Sequence, residues 1–235
     1  MQDFADSFSL AGHLLISGDA ALAEIVLLSL RVTVSALIIS ALIGLPIGAL
    51  LAVARFPGRS VLTVLANSLM GLPPVVVGLT VYMLLSNAGP LGVLQLLYTP
   101  SAMIIAQSIL ITPIIIALTR QVIADLNAEY AETFASLVVP RHVAIAALLW
   151  DARYSLMTVL LAGFGRAIAE VGAVMIVGGN INHVTRVMTT AIALETSRGD
   201  LALALALGMV LLLIALGVNG ALSVLKTADR SMAHA

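Results

Sequence analysis

The sequence predicts an all-α integral membrane protein, and three observations carry that prediction. Of its 235 residues 61% are hydrophobic, only 10% are charged, and mean hydropathy is +1.13. A soluble domain of this length could not cover so much apolar surface. The apolar runs are continuous and do not alternate with period two, so they read as helices and not as barrel strands. A net charge of −1 without a basic cluster offers nothing to hold a nucleic acid. The absence of cysteine removes disulfides, thiol catalysis and cysteine metal sites. The N-terminus shows neither a positive n-region nor a small-residue cleavage site, so no cleavable signal peptide is expected.

Taken in order, the segment 8–16 is too short to span, is interrupted by His13 and is followed by Gly18. It is expected at the membrane interface, ahead of a first helix that could begin near Leu22. A crossing needs roughly twenty apolar residues. Five blocks meet that requirement: 32–53, 61–85, 102–118, 156–177 and 201–224. Internal repeats and dividing linkers are absent, so 1–235 reads as one transmembrane domain. Orientation follows from the positive charges. With the N-terminus outside and the C-terminus inside, seven basic residues face the cytoplasm: Arg55, Arg59, Arg120, Arg141, Arg153, Lys226 and Arg230. Arg186 and Arg198 fall outside, with Asp3, Asp6, Asp19 and Glu24.

The second block contains GLPPVVVGL, with Pro73 and Pro74 adjacent and glycines at 71 and 78. Proline removes a backbone donor and crowds the preceding turn, so the helix is expected to kink or open there. Freed carbonyls are costly in lipid, and the break should face protein or a water-filled path. A packing kink and a pathway lining both satisfy that condition. Pro113 in the third block, with Gln107 before it, is a weaker signal of the same kind. In the fourth block Arg166 and Glu170 fall mid-membrane with the i, i+4 spacing of a helical pair. They read either as a self-neutralised structural pair or as a polar lining for an anion. The pairing leaves the arginine little spare field, which favours the first. Gly163, Gly165 and Gly172 would admit a neighbouring helix. Arg31 shares a helical face with Glu24 and reads as an interfacial, snorkelling side chain.

Catalytic chemistry is not legible. The only lysine, Lys226, sits in SVLKTADR, so no phosphate-cradling GxxxxGK[ST] exists. Histidines 13, 142, 183 and 234 all fall outside the predicted spans, which argues against an intramembrane triad or a histidine metal site. His183 reads as a solvated loop residue.

The stretch 120–153 breaks the pattern: it holds seven of the 23 charged residues, between blocks that each could cross a bilayer. From residue 127 it reads as two short amphipathic helices broken at 138–140. The first carries Glu129 and Glu132, and the second runs through AIAALLW to Asp151 and Arg153. Such helices can dock into a groove of a soluble protein; a plain solvated connection accounts poorly for the length and the alternation.

These residues resemble the permease subunits of bacterial ABC importers, with the nearest likeness to tungstate permeases. The loop before the penultimate span of that family carries an EAA motif, matched here by Glu132, Ser136, Leu137, Pro140, Arg141, Trp150 and Asp151. Val138 and Val139 stand where the family usually has Gly-Ala, so Pro140 is expected to supply the bend. LPPVVVGL is similar to the Pro-Pro segment of molybdate and tungstate permeases. GFGRAIAEVGAVMIVGGNI and TRVMTTAIALETSRGD resemble the tungstate branch.

The resemblance implies a type I importer permease fold in the bacterial inner membrane, with coupling helices in a cytoplasmic loop over 120–155. Two copies would form the pore, and Pro73, Pro74, Arg166 and Glu170 would be candidates for its pathway or gate. Two ATPase subunits would bind ATP and Mg2+, and an extracytoplasmic protein would deliver the oxyanion. This chain itself would be no enzyme and bind no cofactor or metal. A molybdate or sulfate permease is the alternative within the class. A secondary transporter or channel that works without an ATPase is the alternative outside it.

Overall fold

The computed structural model describes residues 9, 12–13 and 20–232, with side chains through residue 221. The proposed interfacial segment 8–16 therefore lies almost wholly outside the described residues, and Lys226 and Arg230 are described by their helical backbone alone. Among the described residues there is no strand. The chain runs through α1 (Ala20–Val53), α2 (Arg59–Leu69), α3 (Pro74–Leu85), a 3-10 turn (Gly92–Leu94) and α4 (Pro100–Glu129). It continues through α5 (Ala131–Ser136), α6 (Arg141–Asp151), α7 (Arg153–Ile168), α8 (Gly172–Gly178), α9 (Met188–Arg198) and α10 (Leu201–Met232).

Three helices are long and apolar enough to cross a bilayer on their own: α1, α4 and the 201–221 part of α10. Counting each bent helix pair as one crossing, α2 with α3 and α6 with α7, gives up to five, so the helical membrane class stands, while two of the expected blocks, 61–85 and 156–177, are not continuous helices. Block 61–85 is α2 and α3, set 102° apart. Tandem prolines account for this. Pro74 forces extended backbone on the residue before it, and Pro73 accordingly sits at ψ 122°, outside any helix. Block 156–177 is α7 and α8, interrupted at 169–171, where the Glu170 carboxylate accepts the Ala173 N–H and so caps the start of a new helix.

Other boundaries moved because hydropathy measures membrane thickness and not helix length. α1 starts at Ala20, two residues before the expected Leu22 and well ahead of the apolar block 32–53, and its 34 residues reach about 51 Å, well beyond a hydrocarbon core of about 30 Å. Block 102–118 lies inside α4, which opens on Pro100 at a position that needs no N–H and continues through the polar TRQVIADLNAE. Segment 178–200, expected as an outer connection, contains α9.

α1 and α4 form the central pair. Gly44 and Gly48 of α1 lie against Ile115, Ile116 and Thr119 of α4, so closely that a Cβ on Gly48 would stand 2.7 Å from the Ile116 carbonyl oxygen. This is small-residue packing, the device that brings helices together where lipid removes the hydrophobic drive. Hydroxyls tie the same seam: Ser40 donates to the Ser108 carbonyl at 3.2 Å, and its oxygen lies 3.0 Å from Thr112 Oγ1. Around this pair sit three apolar clusters. One joins α1, α3, α4 and α8 through Val32, Val77, Met103 and Val174. A second joins α1, α7, α9 and α10 through Ile25, Phe164, Met188 and Leu207. A third closes the other end through Ala52, Ile123, Leu148 and Leu156.

Candidate functional site

Two sites emerge on opposite ends of the α1–α4 pair, with a seam of broken helices between them. At one end, α1 stops near Arg59, whose guanidinium donates to the carbonyls of Leu51 and Ala52 at 2.7 and 3.0 Å. A cation there satisfies carbonyls that the helix end leaves orphaned. The same end carries α5 and α6. α6 buries Ala144 and Leu148, the latter packed with Ala49, Ala52, Ile115 and Ile123, and turns Val143 and Trp150 outward. Trp150 is 73% exposed, and Leu137 and Val138 beside α5 are exposed as well. Large apolar side chains held in the open on a packed helix mark a surface that meets something.

The matched residues of this end fall as follows. Glu132 lies exposed in the first turn of α5, where a carboxylate complements the helix dipole. The Ser136 hydroxyl donates to the Thr133 carbonyl at 2.9 Å. Pro140 is the extended residue ahead of α6, and Arg141 opens that helix, exposed. Asp151 accepts the Tyr130 hydroxyl at 3.0 Å, tying the end of α6 to the end of α4. The carboxylate raises the Tyr130 phenol above its usual range, first through that hydrogen bond and then through its charge. Tyr130 stacks on Phe134 at 5.7 Å, and Arg153 lies 5.3 Å from the Trp150 ring. Glu129 belongs to α4 and not to the first short helix, because the break falls at Tyr130.

The turn between α5 and α6 also has a definite geometry. The Val139 N–H donates to the Phe134 carbonyl at 3.0 Å while Val138 stands at φ 50°. This is a Schellman ending, with its left-handed residue at the position where glycine is preferred. A β-branched residue there costs roughly 1–2 kcal/mol. Pro140 therefore does not replace the missing glycine; Val138 takes the strained conformation itself.

In the seam, α3 and α8 meet where both spans are broken. A Cβ on Gly78 would lie 2.7 Å from Ala173 Cα, and one on Gly172 would lie 3.1 Å from Val75. Gly163 approaches Leu37 and Ile115 in the same way, but Gly165 meets no neighbour within 4 Å, so the expectation of close approach fails there. Glu170 is 4% exposed and Arg166 33%, and the arginine donates to the carboxylate at 2.5 Å. They do not share one continuous helix, since α7 ends at Ile168. Glu170 instead accepts the Ala173 N–H at 3.2 Å, opening α8, and its carbonyl accepts the Thr189 hydroxyl at 2.7 Å. Gln107 donates to the Ala167 carbonyl at 3.0 Å, satisfying the other side of the break. The space left among Ser29, Thr33, Gln107, Glu170 and Thr189 is about 10 Å³. That suffices for at most one water, so the seam as it stands is closed to a tetrahedral anion. Pro73 and Pro74 shape this seam through the α2–α3 bend.

The opposite end was missed from sequence. Here Arg186, from the loop after α8, and Arg198, at the end of α9, flank the buried Glu195 at 3.8 and 3.3 Å. They border an open cavity of about 530 Å³ with Asn180 and Ser197. Glu24 pairs with His183 at 2.7 Å, both side chains partly exposed, instead of joining the Arg31 face of its own helix. The available signal was the i, i+3 spacing of Glu195 and Arg198 within a stretch that reads as a loop.

No protein-family model matches the chain. It is 40% identical over 219 residues to the tungstate uptake system permease protein TupB of Peptoclostridium acidaminophilum, covering 93% of this chain and 96% of that protein. It is 41% identical over 204 residues to a probable anion ABC transporter permease protein of Haloferax volcanii, covering 84% and 88%. It is 39% identical over 165 residues to TupB of Campylobacter jejuni, covering 70% and 69%. Sulfate transport permeases match at lower identity.

Proposed function

Because the chain belongs to the ABC transporter permease family that includes the tungstate uptake permeases, we propose that it carries tungstate, or a closely similar oxyanion, through the cytoplasmic membrane at the expense of ATP hydrolysed elsewhere. The single observation that carries the mechanism is the Trp150 face: an exposed aromatic on a helix whose other face is packed into the α1–α4 pair. A push on that face is delivered to the bundle through Leu148 and Ala144 and is not absorbed by a slack loop. Glu132, Ser136, Leu137, Pro140, Arg141 and Asp151 complete or brace the contact with the ATPase.

In this reading the N-terminus is outside and the C-terminus inside, which places α5 and α6 in the cytoplasm. Two copies of the chain form the pore, two ATPase subunits bearing ATP and Mg2+ sit beneath it, and a binding protein delivers the anion above. Closure of the ATPase dimer draws the two α6 helices together. The α3–α8 seam then separates, since two tight breaks joined by glycine contacts can part as units more readily than the unbroken pair can bend. Arg166 and Glu170 hold the closed state, and Pro73 and Pro74 set where it opens.

The test is reconstitution in vesicles. Tungstate uptake is expected only when the chain, a P-loop ATPase, the binding protein and ATP are all present. Uptake by the chain alone, driven by a tungstate or ion gradient, would overturn the reading in favour of a secondary transporter.

A further inference from the structure

We infer that the cavity beside Arg186 is a receiving site for a divalent tetrahedral oxyanion, held by the permease itself after release from the binding protein. This rests on the importer reading and adds to it a place on this chain where the substrate pauses. Three features carry the inference.

The first is charge. Two guanidinium groups face one carboxylate, Glu195, so the cluster keeps one positive charge in excess. The second is an unmet demand. Among the described residues the Arg186 guanidinium makes no hydrogen bond, its Nε is buried without a partner, and its nearest charged neighbour stands 3.8 Å away. Buried donors left unpaired are costly, and the planar fork of arginine matches the edge of an oxyanion with two parallel bonds. The third is shape. Arg186 is 17% exposed and Arg198 57%, so one guanidinium sits low in the cavity and the other stands at its rim. A compact ion reaches both, whereas a broad protein surface would meet Arg198 first.

The surrounding elements hold this geometry firmly. Asn180 donates to the Thr190 carbonyl at 3.3 Å and Thr185 Oγ1 to the Gly178 carbonyl at 2.5 Å, tying the loop to α9 and α8. Glu195 orients both arginines from a buried position on α9 and acts as a positioning residue. The cavity is wide enough to admit a hydrated anion, in contrast to the closed space at Glu170.

The experiment uses the permease–ATPase complex in lipid nanodiscs without binding protein, titrated by equilibrium dialysis with tungstate, molybdate, sulfate and, as control, chloride. Saturable binding of at least one divalent oxyanion, not of chloride, is expected. Arg186→Gln should weaken it at least tenfold. Ser197→Phe, which projects an aromatic ring into the cavity between the two arginines' helix and loop and leaves every charge in place, should weaken it as well and covers the case in which the arginine variant does not fold. Absence of saturable binding in the wild type, or equal binding in folded Arg186→Gln or Ser197→Phe, overturns the site. Variants that keep the anion but lose stimulation by the binding protein also overturn it, because the arginines would then be a protein contact. If the complete wild-type transporter still imports tungstate in any of these cases, the importer reading survives and only the receiving site falls.

Discussion

The α1–α4 pair and the α3–α8 seam are built from the same ingredients, proline and glycine, and behave in opposite ways. Pro46 lies inside α1 and Pro113 inside α4, yet both helices run on unbroken. Beside Pro113, Thr112 Oγ1 and Ser40 Oγ both donate to the Ser108 carbonyl, tying this turn of α4 to α1 and holding the helix on course through a lone proline. At Pro73–Pro74 the second ring dictates the first residue's backbone and no helix can pass, so the chain turns by 102°. Glycine shows the same divide. Gly44 and Gly48 bring two long continuous helices together, whereas Gly78 and Gly172 bring together two short ones, each starting at a break. One region is a frame; the other is a joint.

The largest effect is expected from damage to the frame. Gly48→Leu would drive a side chain into the Ile116 carbonyl and Thr119, and overpacking of this kind should destabilise by on the order of 3 kcal/mol, read as lost folded yield and a lower Tm in detergent. A stable Gly48→Leu protein would mean that α1 and α4 can part, and the contrast would fail. Next is the joint itself. Glu170→Gln leaves Arg166 without its counter-charge but keeps an oxygen for the Ala173 N–H. Since Arg166 is one-third exposed, the loss should be about 2 kcal/mol, below the figure for a fully buried pair. Exchange of the two residues should recover part of the folded yield; a well-folded Glu170→Gln with altered anion flux would assign the pair to the pathway.

A smaller change should follow from making the joint resemble the frame. Pro74→Ala leaves a lone proline, and the 59–85 segment should straighten. The chain has no cysteine, so spin labels on introduced cysteines at Leu62 and Leu84, both exposed, report the distance directly. It should lengthen, and an unchanged distance would remove tandem proline as the cause of the bend. The smallest effect is a gain. Val138→Gly relieves the left-handed valine and should stabilise by about 1 kcal/mol, seen as a raised Tm, with uptake retained.

Legibility in the sequence followed the same divide. The Pro73–Pro74 break and the Arg166–Glu170 meeting were readable, because tandem proline and an i, i+4 charge pair act locally. The long α4 was not, because its polar extension past residue 118 is helical for reasons of propensity that hydropathy ignores. The restart of the helix at Gly172 was hidden since it depends on the Glu170 carboxylate reaching a backbone N–H three residues on. The Gly44/Gly48 contact was missed: its signal is a G-x-x-x-G in an apolar run, which does not name the partner helix. Arg186, Glu195 and Arg198 were unreadable as a cluster, since α9 sits in a stretch that looks like a polar loop and the grouping exists only once that helix folds back on the bundle.

The central claim is that force enters at the Trp150 face and is carried inward by a packed helix. The direct measurement is the number of tungstate ions imported per ATP hydrolysed by the complete transporter in vesicles, for the wild type, Trp150→Ala and Glu132→Lys. Trp150 is the kind of exposed aromatic anchor that dominates a contact, so Trp150→Ala should cut uptake at least tenfold while the purified chain keeps its Tm. Uptake and ATP yield at wild-type levels in both variants would contradict it.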